Sequence, residues 1–171
     1  MKNLISNQER SASEQSMSDR SRGRAEQWMQ TALRLADKAG NSGEVPVGAV
    51  VVRNNEIIGE GYNQVISSHD PSAHAEIVAL RDAARRCQNY RIVDAELYVT
   101  IEPCTMCAGA LIHARIARLI YGAREPRAGA VDSSIHVLSN PSVNHRVDVM
   151  AGVCETEAAE KMHAFFKTRR S

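Results

Sequence analysis

Two short stretches, His74-Ala75-Glu76 and Pro103-Cys104-Thr105-Met106-Cys107, constrain this chain more than any other part of it. Together they read H-x-E, 26 intervening residues, then P-C-x-x-C. They supply one imidazole, two thiolates and one spare carboxylate. Such ligands suit Zn²⁺, and three rather than four leave a coordination position for water, the mark of a catalytic zinc. His74, Cys104 and Cys107 are therefore the candidate ligands, with one zinc per chain. Glu76 is left to move protons.

Local chemistry supports that division. Cys104 and Cys107 stand at i and i+3, on one face of a helix that starts after Pro103. The unpaired N–H groups and the dipole of a first helical turn favour thiolates. His74 is expected in the first turn of the preceding helix, which places the zinc between two helix N-termini. Positions i and i+2 do not share a helix face, so His74 and Glu76 both approach one metal only if it lies off the helix end. The competing structural reading is a closed Cys₃His site with Cys87 or Cys154 as fourth ligand. Neither cysteine has a zinc-knuckle spacing. Alternatively, His74 and Glu76 are ordinary helix residues. The joint occurrence of the two motifs, in order, favours the catalytic site.

The whole chain, 171 residues with 43% apolar and 24% charged side chains, fits one globular domain. Its net charge of +1 gives no global basic field, so any nucleic acid must be held by local patches. No apolar run approaches a membrane span, and no apolar signal segment opens the chain. Cys87 and Cys154 read as free thiols, which suits a cytoplasmic protein. Residues 1–23 are polar and read as a disordered tail before a domain at 24–171. A mitochondrial transit peptide is disfavoured by Glu9, Glu14 and Asp19.

Periodicity predicts helices over 25–39, 73–86 with Ser72 as N-cap, 104–114 and 155–168. It predicts strands over 47–52, 57–62, 95–101 and 119–121, and an edge strand over 146–149. Asn54-Asn55 reads as a tight hairpin. Residues 63–71 read as a loop and 122–144 as a polar connection. The third helix is apolar on nearly every side and is expected to be buried all round. Of Phe165 and Phe166, at least one is expected in the core. The order of elements implies an α/β class, a three-layer α/β/α domain with a central mixed sheet of about five strands.

H-x-E with P-C-x-x-C is the signature of zinc-dependent nucleobase deaminases. Further blocks narrow the resemblance: Glu44-Val45-Pro46-Val47-Gly48-Ala49, Asn63, His69-Asp70-Pro71-Ser72-Ala73-His74-Ala75-Glu76, Glu102 to Ala110, Gly122-Ala123-Arg124, Asn144-His145-Arg146 and Phe165 to Arg170. With these the chain resembles bacterial tRNA-specific adenosine deaminases over roughly 27–170. The resemblance implies a cytidine-deaminase-like fold and a homodimer. It also implies hydrolytic conversion of the wobble adenosine of a tRNA anticodon, usually of an arginine tRNA, to inosine. By the same resemblance Asn63 contacts the flipped base, and Val45 and Ala75 line its pocket. Glu125 keeps a carboxylate near the anticodon loop where many members carry Asp. Arg146, Arg169 and Arg170 contact the RNA, with Arg124, Arg127, His145 and Lys167 as further basic candidates. The expected chemistry is attack of a zinc-activated water on adenine, with Glu76 as base and then acid. Two other functions fit the zinc motif: a free nucleoside or nucleobase deaminase acting on cytidine or guanine, and a non-catalytic zinc-stabilised RNA-binding module.

Overall fold

Three apolar strands make the centre of the molecule. In the computed structural model, which describes residues 7–169, β1 (Gly48–Arg53), β3 (Glu96–Ile101) and β4 (Arg118–Ala123) are buried along nearly their whole length. Strands covered on both faces read as continuous Val/Leu/Ile runs, as these do. β2 (Glu56–Tyr62) pairs antiparallel with β1 through Asn54 and Asn55, at φ 53° and 61°. Two positive-φ residues make the turn whose twist matches paired strands. β1 is also antiparallel to β3, β3 is parallel to β4, and β4 is parallel to the short edge strand β5 (Asp148–Met150). The order is β2-β1-β3-β4-β5, a mixed five-stranded sheet as expected.

Helices α1 (Asn7–Asn41) and α5 (Glu155–Arg169) touch each other and cover β1, β3 and β4 on one side. On the other side α3 (Ala75–Cys87) lies on β2 and β1 and touches α4 (Thr105–Ala114), the crossover between parallel β3 and β4. The result is three α/β/α layers. Gly59 and Gly61 let α3 settle onto β2: a Cβ at Gly61 would stand 2.3 Å from the Ala75 carbonyl oxygen and 2.4 Å from the Ala79 nitrogen. This close approach seats the helix whose first residues follow His74.

Several expectations are corrected. Helix α1 begins at Asn7, well inside the stretch read as disordered; residues 1–6 lie outside the described residues. Residues 8–24 contain no proline and eight Glu, Gln and Arg, so a helix anchored by the packed residues Ala25, Met29, Ala32 and Leu33 can propagate backward. Arg22 adds an i,i+4 pair with Glu26 (3.7 Å) and a hydrogen bond to the Gly152 carbonyl (3.2 Å). The loop at 63–71 holds a one-turn helix, α2 (Val65–Ser68). Helix α4 is not buried all round: Met106 is 38% exposed and His113 is exposed beside half-buried Gly109 and Ala110. Its Cys107, Ala108, Leu111 and Ile112 are buried, and among the described elements none forms a further layer over the opposite face. Neither Phe165 nor Phe166 is core; Phe165 is half-buried and Phe166 is 39% exposed. No helix among the described residues is long and apolar enough to cross a membrane.

Candidate active site

The two loop–helix junctions singled out by the sequence meet. His74 is the N-cap of α3, not a first-turn residue, with extended backbone at φ −70° and ψ 154°. Ser72, the expected cap, is spent one turn earlier. Its N–H and hydroxyl both donate to Asp70 Oδ1 (2.8 and 2.6 Å), closing a turn that Arg81 braces through Asp70 Oδ2 at 3.2 Å. The extended cap swings the His74 ring off the helix end. That resolves the i,i+2 problem, since His74 and Glu76 need not share a helix face.

Cys104 is likewise the N-cap of α4, at φ −76° and ψ 176°, with Cys107 three residues on. The Cys104 and Cys107 sulfurs lie 3.6 and 3.7 Å from His74 Nδ1. A tetrahedral zinc with Zn–S near 2.3 Å and Zn–N near 2.05 Å requires S···N separations of about 3.6 Å, so the side chains already stand at ligand spacing. All three ligand atoms fall within 4.8 Å of one another. Cys87 and Cys154 are elsewhere: Cys87 Sγ accepts from Arg53 Nη2 (3.1 Å) and Cys154 Sγ sits 3.8 Å from Gln30 Nε2. Among the described residues no fourth cysteine or histidine closes the set.

Electrostatics match the donor set. Hydrogen bonding from the Cys107 thiol, and then from His74, holds the Cys104 thiol down at about 3. Cys107 is pushed up, first because its thiol donates to Cys104 and then by burial. The same Cys104 sulfur raises the His74 pKa. The two thiols and His74 share protons at close range; a divalent cation held between them would take the place of those protons and leave both sulfurs as thiolates.

Glu76 is 4% exposed, and burial pushes its carboxyl up to about 7. It borders a cavity of about 340 Å³ with His74 and Cys104. Val45, Val47, Ile101 and Met162 supply apolar walls. Asn63 lines the cavity, and its Oδ1 accepts the Ala75 N–H at 2.9 Å. That bond satisfies a helix-start amide and leaves the Asn63 NH₂ as the unspent donor. Ala75 itself is fully buried and does not line the cavity; just past the cap, it faces the sheet above Gly61.

Glu125 lies at the cavity edge, where its Oε1 accepts the Arg127 N–H at 3.1 Å. An adjoining cavity of about 580 Å³ is bordered by Arg124, Glu125, Arg127, His163 and Phe166. Arg169 donates to the Gly43 carbonyl and lies 4.4 Å over the Phe165 ring. Arg146 is not brought to the zinc cavity. It sits by β5, next to Asp132 and His136, and donates to the Asn140 carbonyl at 3.5 Å. His145 spends Nε2 on the Ile116 carbonyl at 2.7 Å. Arg170 lies outside the described residues.

Two buried carboxylates at the cavity had no role assigned from sequence, Glu44 and Glu102. Glu44 accepts the Ser67 and Ile66 N–H groups at 2.7 and 3.2 Å and so caps α2. Burial pushes its carboxyl up, but those N–H donors outweigh it and hold the pKa below the usual range. Glu102 behaves likewise. Burial is outweighed by the Ser133 hydroxyl and three backbone N–H groups. The available signal was an acidic residue ending an apolar strand, just before Pro103-Cys104.

Comparison with known proteins agrees with this geometry. The cytidine and deoxycytidylate deaminase zinc-binding region matches residues 22–123. A tRNA-specific adenosine deaminase of Haemophilus influenzae is 51% identical over 146 residues, 85% of this chain and 84% of that protein. One from Agrobacterium fabrum is 44% identical over 143 residues, 84% and 94% of the two chains. A solved structure from work on A-to-I editing by tRNA:A34 deaminases at the wobble position superposes with a TM-score of 0.77 at 44% identity. It covers 79% of this chain and 98% of its own. A guanine deaminase from Nitrosomonas europaea, at 22% identity and TM-score 0.71, shares the fold.

Proposed function

Because the chain belongs to the cytidine and deoxycytidylate deaminase family, among its tRNA-specific adenosine deaminases, we propose that it hydrolyses the wobble adenosine of a tRNA anticodon to inosine. The observation that carries this reading is the three-ligand zinc set opening, beside buried Glu76, onto a base-sized cavity. His74 Nδ1 and the Cys104 and Cys107 sulfurs would hold the zinc, which would supply a Lewis acid able to activate water near neutral pH.

The chain's own residues do the rest. Glu76 takes a proton from the attacking water and delivers it to N1 of adenine as the water oxygen bonds to C6. It then takes the remaining proton from the oxygen now bonded to C6 and passes it to the 6-amino group; the C6–N6 bond breaks, ammonia leaves, and C6 becomes a carbonyl. A carboxyl that must accept and then give a proton works best with a pKa near the operating pH, and burial moves Glu76 in that direction. Asn63 holds the base with its free NH₂, and Val45 and Val47 pack against the ring. An adenine in an unpaired anticodon loop leaves its stack at small cost.

Arg124 and Arg127, with Phe166 as a stacking face, suit the flanking nucleotides in the adjoining cavity. Glu125, at the wall between the cavities, contacts the loop. Arg169 braces the Gly43 carbonyl and brings its charge near Glu44 of the zinc cavity; Arg170 follows it in sequence as a further candidate for RNA contact. Arg146 is farther away and suits a phosphate outside the loop. The exposed face of α4, with Met106, Gly109 and Ala110, is the surface for a homodimer. The expected substrate is an arginine tRNA in the cytoplasm, where free Cys87 and Cys154 stay reduced.

The test is to incubate the zinc-loaded protein with a pool of transcribed tRNAs and sequence their anticodon loops, where inosine reads as G. Parallel reactions use free adenosine, cytidine and guanine. Conversion at the wobble adenosine of one tRNA is expected. Ammonia from a free base or nucleoside with no change in tRNA overturns the reading in favour of a small-molecule deaminase. No ammonia from any substrate leaves a zinc-stabilised binder.

A further inference from the structure

Five buried residues with polar side chains stand out: Glu44, Asn63, Glu76, Thr100 and Glu102. Glu102 is the most heavily bonded. Its Oε1 accepts the backbone N–H groups of Val131, Asp132 and Ser133 at 3.1, 2.8 and 2.9 Å. Its Oε2 accepts the Glu125 N–H at 3.1 Å and the Ser133 hydroxyl. A carboxylate has about four lone-pair sites, so five donors saturate it. Glu102 therefore has nothing left for substrate or for proton transfer.

Among the described residues the Glu102 carboxylate bonds only to the 125–133 segment, from a position just before Pro103-Cys104. The two chain stretches are also joined by Ala130 N–H to the Pro103 carbonyl (2.8 Å) and Glu102 N–H to the Ala123 carbonyl (2.8 Å). From the far side the buried Tyr121 hydroxyl donates to Asp132 Oδ2 at 2.6 Å. Gly129 passes so close that a Cβ there would stand 2.5 Å from Glu102 Oε2. Three successive N–H groups converging on one oxygen form an anion nest, and here the anion is internal. The segment so held carries Glu125 and Ala128 of the zinc cavity and Arg127 of the adjoining one, and it follows directly on Arg124.

We propose that Glu102 is a positioning residue for RNA: its carboxylate fixes the wall shared by the two cavities, and so sets affinity for the anticodon loop without taking part in bond-making. The RNA half of this inference rests on the deaminase reading above; the fixing of the wall does not. In Glu102→Gln one acceptor becomes an NH₂ facing N–H donors, so the nest is broken at nearly constant volume.

The experiment uses the full zinc-loaded chain as wild type, Glu102→Gln, Ser133→Ala and Gly129→Ala. It measures zinc content, native-state tryptic cleavage after Arg127, and KM and kcat on an anticodon stem-loop. For Glu102→Gln, zinc stays at the wild-type level. Cleavage after Arg127 and KM each rise about tenfold or more as charge-assisted bonds are lost, while kcat holds within about threefold. Gly129→Ala reproduces the pattern by displacing the carboxylate, and Ser133→Ala gives a smaller step the same way. Unchanged cleavage and KM in folded, zinc-loaded Glu102→Gln overturn the proposal. So does a fall in kcat that tracks zinc loss at constant KM, which marks a purely structural role. If Glu102→Gln does not fold, the same outcomes are read from Ser133→Ala and Gly129→Ala. A wild type that makes no inosine removes the deaminase reading, and the cleavage comparison still decides whether Glu102 fixes the wall.

Discussion

Glu76→Gln should make the metal-free protein more stable and the enzyme nearly inactive. Glu76 is 4% exposed, and burial pushes its carboxyl to about 7 from an ordinary 4.5. Without metal the folded state therefore holds this proton more tightly than the unfolded chain. Below the unfolded value both states are protonated and the carboxyl costs the fold nothing. As pH rises from 4.5 through 7 the unfolded chain ionises first, stability falls, and above 7 the fold bears the full cost of a buried charge. The separation of the two values corresponds to about 3 kcal/mol. Glutamine keeps the shape and carries no charge. Urea unfolding of the metal-stripped proteins should then find Glu76→Gln more stable by about 3 kcal/mol near pH 8 and equal to wild type near pH 4. With zinc bound the gain shrinks, because a cation beside the carboxylate favours its charged form. Inosine formation should fall by about 10²–10⁴, the usual worth of an acid–base residue. Equal metal-free stabilities near pH 8 would refute the burial argument. Near-wild-type turnover would refute the proton-carrier role, and loss of zinc in Glu76→Gln would make Glu76 a ligand.

Replacing His74, Cys104 or Cys107 by Ala should weaken zinc binding by more than about 100-fold, beyond the cost of losing an outer-sphere partner, as metal analysis after dialysis will show. Asn63→Ala leaves the buried Ala75 N–H without its acceptor and should cost about 1–3 kcal/mol in urea unfolding. Asn63→Asp keeps that acceptor and should stay within about 1 kcal/mol of wild type, yet lose activity because the NH₂ donor is gone. Gly109→Ala meets nothing within 4 Å in the protomer, so it should not harm protomer stability. If α4 forms the dimer face, the same change should raise the dissociation constant in sedimentation; unchanged self-association would remove α4 from the interface.

Much of this protein was legible in the residues themselves. The candidate ligands His74, Cys104 and Cys107 could be named because metal chemistry needs particular donor atoms and helix starts announce themselves over a few residues. The hairpin at Asn54-Asn55, the buried strands and the edge position of β5 follow from patterns that repeat within each element. The backward reach of α1 was hidden because polar composition reads as disorder, while helix propagation from a packed anchor does not depend on an apolar face.

The tertiary structure alone decided how those ligands stand. Sequence places His74 near a helix end; only the Asp70–Ser72 turn makes it an extended cap and brings Nδ1 to 3.6 and 3.7 Å from two sulfurs about thirty residues away. It also turned Asn63 into the acceptor for Ala75, withdrew Ala75 from the cavity, and sent Arg146 to another face. Glu44 and Glu102 show the reason most plainly. Each is an acidic residue next to an apolar segment with no partner in its own neighbourhood, and its donors lie 22 to 31 residues along the chain. Local patterns record what neighbouring residues do to one another, whereas a buried charge is made tolerable by backbone groups that only chain folding brings within reach.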